Sequence, residues 1–263
     1  MILNSEENLD FTKPLFSIVM PAYNAEKTIQ EAIDSVFAQT LKNYELIIVN
    51  DCSYDSTQKI IEKNASRDKR IRVLKNKENL GVARSRNKAL KIAKGRYIAF
   101  LDSDDLWMPN KLEKQYEYFC AGYDVVYSAY TRFKGNKKKI IIPPKRGSFK
   151  TLLRGNYIGN LTGAYDREKI GLIMQKSIGH EDYLMWLSIM AHSEKSIGLQ
   201  ESLAKYRVGE NTLSSNVFKG AKWTWRIYRE ELELSFFKSL YLFFYYLAGS
   251  AKKRCNFKNY LSE

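Results

Sequence analysis

Two hydrophobic periods alternate along the first part of this chain. Phe16 to Met20 (FSIVM) is a continuous apolar run of strand length that ends at Pro21. After the loop AYNAE, Ile29, Ala32, Ile33 and Val36 recur at helical spacing and predict an amphipathic helix over Lys27 to Gln39. Tyr44 to Asn50 (YELIIVN) predicts a second strand that leads into Asp51. The polar turn of Ser53, Asp55, Ser56 and Thr57 follows it and reads as the cap of a helix holding Ile60 and Ile61. Ile71 to Leu74 is a short third strand. The run NKENLGVARSRNKALKIAKG then predicts a loop and a helix stopped at Gly95, and Tyr97 to Leu101 predicts a fourth strand. Strands alternating with helices imply a doubly wound, mainly parallel α/β sheet flanked by helices, with the loops that follow the strands gathered at one edge.

Beyond Trp107 the alternation weakens. Lys111 to Phe119 has helical spacing, Asp124 to Phe133 alternates as a strand does, and a helix is predicted from His180 or Glu181 to about Ala191. Arg207 to Asn216 (RVGENTLSSN) has the glycine, serine and asparagine content of a mobile lid, and two further helical stretches close the chain. No internal repeat or low-complexity segment interrupts the pattern. The expected organisation is one domain softly divided into halves at 1–110 and 111–215, with a helical extension over 216–263.

Composition adds charge to this picture. The 263 residues suffice for one large α/β domain with an appendage, and a formal net charge of +14 calls for an anionic partner: nucleic acid, nucleotide phosphates or an anionic membrane surface. Nine Lys or Arg and no acid fall between Arg132 and Arg154, as a solvated loop or as a basic lip facing phosphates or lipid headgroups. Cys52, Cys120 and Cys255 are odd in number and widely spaced, which suits free thiols in a reducing cytoplasm. The N-terminus carries acids where an export signal needs a basic start, so a cytoplasmic location is expected. The longest apolar run, Leu240 to Ala248, is about half of the roughly 20 residues a spanning helix requires. From Trp223 to Ala248 aromatics mix with Arg226, Arg229 and Lys238 and lead into AKKR. That pattern fits an interfacial helix on anionic lipid, a helix pair covering the core, or a homodimer interface.

Chemistry-bearing residues gather where the predicted strands end. FLDSDD delivers Asp102, Asp104 and Asp105 at the carboxyl end of an apolar strand, and ligands of an open α/β sheet bind outside such ends. Such oxygen-rich sites suit Mg²⁺ or Mn²⁺ shared with substrate phosphates; the alternative is a solvated acidic turn capping the next helix. The loops Pro21 to Glu26, Asp51 to Thr57 and Asn79 to Asn87 converge on the same edge. Neither a Walker A loop nor a dinucleotide fingerprint is present, so phosphates need another cradle. Asp51 can accept from a base N–H, Arg86 can sit near the nucleotide, and the 102–105 carboxylates can hold ribose and a metal on a diphosphate. That set is consistent with a nucleotide sugar. Glu181 and Asp182 open a predicted helix side by side, either as partners of its dipole or as acid/base groups.

PAYN at 21–24, VNDCSYDST at 49–57, NLGVARSRN at 79–87, FLDSDD at 100–105 and HEDYLMWL at 180–187 follow one another in a recognisable order. In order and spacing they resemble the inverting family 2 glycosyltransferases of the GT-A fold, over roughly residues 15–210. GNYIGNLTGAY with GHEDYLMWL further resembles bacterial O-antigen and capsule glucosyltransferases that use UDP-glucose and a lipid-diphosphate-linked acceptor. The resemblance implies a GT-A-type sheet whose 1–110 half binds the nucleotide sugar and whose 111–215 half binds the acceptor and carries the base. It implies that Pro21, Ala22, Tyr23, Asn24 and Glu26 flank uracil and ribose, and that Asp51 pairs with uracil beside Arg86. Asp102 and Ser103 would contact the nucleotide sugar, and Asp104 would bind Mn²⁺ or Mg²⁺ directly. Asp105, Trp107 and His180 fall toward the acceptor, with helix capping as the alternative for Asp105 and helix-entry packing for His180. Asp182 becomes the general base and Glu181 its alternative. Many relatives carry a histidine shortly after the Y-R that follows this helix, where Gly209 and Glu210 stand here, so Arg207 is expected to pair with the diphosphate instead.

The activity so implied is inverting transfer of a hexose to a lipid-diphosphate-linked saccharide in O-antigen or capsule synthesis, peripheral on the cytoplasmic face of the inner membrane. UDP-glucose is the favoured donor, with UDP-galactose or a UDP-N-acetylhexosamine as alternatives. A basic nucleic-acid-binding protein competes on charge and aromatic content alone, and no recognition motif supports it, so nucleic acid is not an expected partner. A nucleotidyltransferase would want a glycine-rich basic loop where PAYNAE stands.

Overall fold

Strand alternation decides which face of a sheet each apolar side chain enters, and here both faces are covered. The structure, a computed structural model, describes residues 13–209 and 217–261, with side chains described over 13–209 and 219–250. The first four strands are β1 (Phe16–Ala22), β2 (Tyr44–Asn50), β3 (Ile71–Lys75) and β4 (Tyr97–Phe100). They pair in parallel in the order β3-β2-β1-β4. Between them run α1 (Ile29–Phe37), α2 (Thr57–Ala65) and α3 (Val82–Ile92). Phe16, Ile18, Met20, Leu46 and Ile48 share one core with α1 and α2, whereas Val19, Ile47, Val49, Ile98 and Phe100 share the other with α3. This two-sided burial is what a doubly wound sheet requires.

The second half extends the same sheet. It adds β5 (Leu106–Trp107), α4 (Lys111–Cys120), β6 (Val125–Lys134), β7 (Lys137–Ile141) and α5 (Phe149–Leu152). A 3-10 turn at Asn160–Thr162, β8 (Ala164–Asp166), α6 (Arg167–Ile170), α7 (Glu181–His192) and β9 (Ser196–Arg207) follow. From β4 the order continues β8-β6-β9-β5, with β7 also on β6. β8 is antiparallel to β4 and β6, whereas β9 runs parallel to β6. The result is a mixed sheet whose first four strands are all parallel. Asp166 on β8 accepts two bonds from Arg96, at 2.9 and 3.0 Å, and so ties the two halves together at β4.

Helix α7 is central: Tyr183 to Leu187, Ile189 and Met190 are buried, and the Trp186 ring meets Phe100 and Tyr165 edge-on. It is covered by Ile227, Tyr228 and Leu242 from the C-terminal helices α8 (Val217–Arg226) and α9 (Phe236–Leu261) and the turn between them. The basic 132–154 segment is not a loop throughout, because Lys137–Ile141 pairs with β6 as a lysine-rich edge strand. The polar turn before α2 differs from its expected cap. Ser56 makes no side-chain cap bond, and Asp55 Oδ1 takes the Thr57 N–H at 2.9 Å. Of the lid proposed over Arg207 to Asn216, residues 210–216 lie outside the described residues, and so do the side chains of AKKR at 251–254.

Candidate active site

Backbone groups at strand ends need partners, and the polar residues of the first two loops supply them to each other. The Asn24 N–H donates to Ser53 Oγ at 3.0 Å, Ala25 N–H to Thr57 Oγ1 at 2.8 Å, and Ser56 N–H to Glu26 Oε2 at 3.0 Å. Asn24 and Cys52 both sit in the left-handed region, at φ 47° and 63°, where the two chains turn away from the sheet. Asp51 is buried and accepts from Leu80 N–H and Gly81 N–H, each at 2.8 Å, and from Asn76 Nδ2 at 2.7 Å. It therefore suspends the loop that starts α3. Pro21 and Ala22 are buried at the end of β1, and Tyr23 is half exposed with its ring edge-on to Tyr54.

The acids after β4 and the acids opening α7 line one cavity of about 870 Å³, a size suited to a substrate-sized ligand. Arg86, Asp102, Asp104 and Asp105 stand on its wall together with His180, Glu181 and Asp182. Gly179 and His180 both have positive φ, 76° and 48°, and this left-handed corner delivers Glu181 and Asp182 to the cavity at the first turn of α7. Arg86 is buried, donates from Nη2 to Asp102 Oδ1 at 2.5 Å and from Nη1 to Gln175 at 3.2 Å, and leaves Nε without a partner. Burial works against its charge, but Asp102, Asp182 and Glu181 outweigh it and hold the guanidinium above its usual range.

The carboxyls respond in the opposite sense. Burial raises Asp182 above the ordinary carboxylate range despite the pull of Arg86 and His180. Asp104 is exposed on the cavity wall, and partial desolvation there with the adjacent Asp102 charge pushes it up. Asp105 is buried, accepts the Arg207 N–H at 2.9 Å, and is pushed well up by burial and by the Asp104 and Asp102 charges. Among the described residues no group of three His, Cys, Asp or Glu converges as a metal cage. A cation shared with a diphosphate needs only one or two carboxylates, and Asp102 and Asp104 stand together on the cavity wall.

Several expected contacts lie elsewhere. Trp107 does not reach the cavity: it is buried beneath the wall, donates from Nε1 to Leu161 O at 2.8 Å, and carries the buried Lys111 ammonium 3.9 Å above its ring. The Arg207 side chain is engaged by Glu31 at 2.5 Å and by Asp104 O at 2.9 Å, beside the Phe133 ring, rather than pointing into the cavity. Ser103 is half-buried in the acidic turn. His180 does line the cavity, with its ring edge-on to Trp223 and its Nε2 buried without a partner. The sequence reading missed Tyr130, Asn160, Tyr206 and Trp223, which share the lining. Asn160 lies within the GNYIGNLTGAY motif and Trp223 opens the aromatic C-terminal stretch, but neither was singled out for the site; Tyr130 and Tyr206 carried only aromatic character.

A mixed sheet sets strand-end acids and an acidic helix start around one cavity, the arrangement of an enzyme active site, and the comparisons name its family. Residues 17–171 match the family model for glycosyl transferase family 2, and the chain belongs to that family. It is 41% identical over 247 residues to Bacillus subtilis TuaG, a glycosyltransferase named for teichuronic acid biosynthesis, covering 92% of this chain and 98% of that one. It is 37% identical over 249 residues to Escherichia coli WfgD, a UDP-Glc:alpha-D-GlcNAc-diphosphoundecaprenol beta-1,3-glucosyltransferase, covering 93% and 97%. The S. aureus TarS 1-349 structure in complex with UDP-GlcNAc superposes with a TM-score of 0.69 at 22% identity, over 82% of this chain and 66% of that chain. The fold is therefore of the GT-A type.

Proposed function

We propose that this chain is an inverting hexosyltransferase that moves glucose from UDP-glucose to a saccharide linked through diphosphate to a polyprenyl lipid, in surface polysaccharide synthesis. The observation that carries the reading is the shared cavity of Asp102, Asp104, Arg86 and Asp182. The similarity to WfgD, whose name states this donor and acceptor class, supports it. UDP-galactose and UDP-N-acetylhexosamines are the alternative donors.

In the proposed reaction the acceptor hydroxyl oxygen attacks the anomeric carbon from the face opposite UDP. The bond from that carbon to the diphosphate oxygen breaks, UDP leaves with the electron pair, and the hydroxyl proton passes to Asp182. A carboxylate raised by burial is a stronger base than one in water, which suits this task. Arg86, kept protonated by its acidic neighbours, would balance charge as UDP departs. Asp104, with Asp102 beside it, would hold Mn²⁺ or Mg²⁺, which when bound neutralises charge on the diphosphate. Asp51 and the 21–26 loop, at the neighbouring strand ends, would take the uridine.

Among the described residues no helix is long and apolar enough to cross a membrane. The exposed face of α9 nevertheless presents Phe237, Tyr241, Phe244 and Tyr245, and Arg154 from the basic segment lies over Tyr245 at 5.2 Å. An aromatic stripe beside cations on a chain of net charge +14 fits an anionic lipid surface, where a lipid-linked acceptor would reside. The enzyme would then act peripherally on the cytoplasmic face.

A panel of UDP-sugars with Mn²⁺ and a synthetic N-acetylglucosamine-diphosphate-lipid tests the reading by UDP release. UDP-glucose should support the fastest turnover, and Asp104→Ala should remove most of it. No acceptor-dependent UDP release from any donor would overturn the proposal.

A further inference from the structure

Asn160 brings to the cavity a group that the proposed chemistry does not use. It is 8% exposed, it lines the cavity, and neither its Nδ2 nor its Oδ1 has a hydrogen-bond partner. A carboxamide carries two donors and an acceptor oxygen, and native proteins rarely bury one with every position unmet unless a ligand or water completes it.

The lack of partners does not come from a loose turn. Gln115 Nε2 donates to Thr162 O at 2.8 Å, Trp107 Nε1 to Leu161 O at 2.8 Å, and Thr162 Oγ1 to Gly159 O at 2.7 Å. The backbone on either side of Asn160 is braced, and its side chain alone is left open. The buried Lys111 donates to Gln115 at 2.7 Å and so supports the brace from beneath.

The surroundings indicate what the amide would meet. Asn160 belongs to the second half of the fold, with Asp182, whereas Arg86, Asp102 and Asp104 come from the first half. Ile158 and Leu161 are buried beside it on the cavity wall, and a Cβ placed on Gly159 would come within 3.2 Å of the Tyr130 ring. Tyr130, Asn160 and the candidate base Asp182 line the same cavity. An open amide beside two aliphatic side chains and an aromatic ring matches a ligand that offers a hydrogen-bonding amide and a methyl group together. A sugar hydroxyl can also hydrogen-bond the carboxamide, but it offers no methyl to the apolar surface beside it.

We propose that Asn160 is a specificity-determining residue that hydrogen-bonds the acetamido group of a 2-acetamido sugar in the acceptor, with Ile158, Leu161 and Tyr130 receiving the methyl. This assignment rests on the acceptor half of the function proposed above.

The test uses the full chain, the donor selected by the panel, and two acceptors that differ only at one sugar carbon: N-acetylglucosamine-diphosphate-lipid and glucose-diphosphate-lipid. The wild type should prefer the acetamido acceptor by about 10-fold or more in kcat/KM. Asn160→Ala should lower kcat/KM for the acetamido acceptor by about 10- to 100-fold while leaving the other acceptor and the donor KM within about threefold. Wild-type turnover without discrimination overturns this inference alone and needs no variant. Equal losses on both acceptors in Asn160→Ala, or a loss seen only in donor KM, also overturn it alone. No turnover by the wild type on either acceptor overturns the inference together with the function beneath it.

Discussion

Arg86 Nη2 stands 2.5 Å from Asp102 Oδ1, and the same buried guanidinium also feels Asp182 and Glu181 from the other half of the fold. One cation thus serves acids that reach the cavity from two directions. Replacing it by Met leaves these carboxylates uncompensated. Removing one partner of a buried pair costs roughly 3–5 kcal/mol. The Asp102 side chain keeps 32% exposure, so screening reduces the expected loss to about 2–3 kcal/mol at pH 7. Urea unfolding of Arg86→Met should show that loss, and it should shrink as pH falls and the raised Asp182 carboxyl takes up its proton.

Asp182 gives a pH signature of its own. A carboxyl raised in the folded state contributes stability that is present below its unfolded pKa and is lost as pH rises through the folded value. Asn carries no such loss. Thermal melts should therefore place Asp182→Asn above the wild type at pH 7.5, with the gap closing as pH falls toward about 4. A gap that widens on acidification would mean that the carboxylate is stabilised by the fold instead.

Gly179 stands at the corner that opens α7. Its φ is +76°, and a Cβ there would lie 2.3 Å from the Trp223 ring, which packs edge-on against His180. Ala at this position strains the backbone and drives Trp223 away from the cavity. Gly179→Ala should cost about 1–3 kcal/mol and lower kcat about 10-fold. Gly122→Ala is the control, because Gly122 has a similar φ of +86° with nothing within 4 Å. It should carry the backbone penalty and leave kcat unchanged.

The exposed aromatics of α9 predict lipid binding. Phe237 and Phe244 are 82% and 62% exposed. The wild type should sediment with phosphatidylglycerol vesicles at low salt, and Phe237→Ser with Phe244→Ser should weaken that by about 10-fold or more. Equal sedimentation of both proteins would dismiss the lipid reading. A concentration-dependent mass in sedimentation velocity, abolished by the same pair of substitutions, would assign the face to a homodimer.

Much of the first half was legible because burial on both faces leaves a strong pattern. FSIVM and YELIIVN could only be central strands, and Ile29, Ala32, Ile33 and Val36 mark one face of α1. β9 escaped notice because its alternation is broken. Ser128 pairs with Leu199 and Ala129 with Ser202, so Gln200 and Glu201 lie in a bulge that interrupts the period. β7 was hidden by its lysines, which suit an edge strand as well as a loop. At the site, acids at strand and helix ends announce themselves, and the cavity gathers those after β4 with those of α7. Trp107, which the resemblance put toward the acceptor, spends its indole N–H on Leu161 O beneath the cavity wall. Asn160 falls in the GNYIGNLTGAY motif, but its lack of partners cannot be recognised until the surrounding chain is folded.

The central claim is that Asp182 takes the acceptor proton in a cavity shared with Asp104. The most direct measurement is kcat of Asp182→Asn with saturating donor and acceptor, alongside UDP affinity by calorimetry. The account predicts a fall of at least about 100-fold with UDP affinity retained. Turnover within about threefold of the wild type would contradict it.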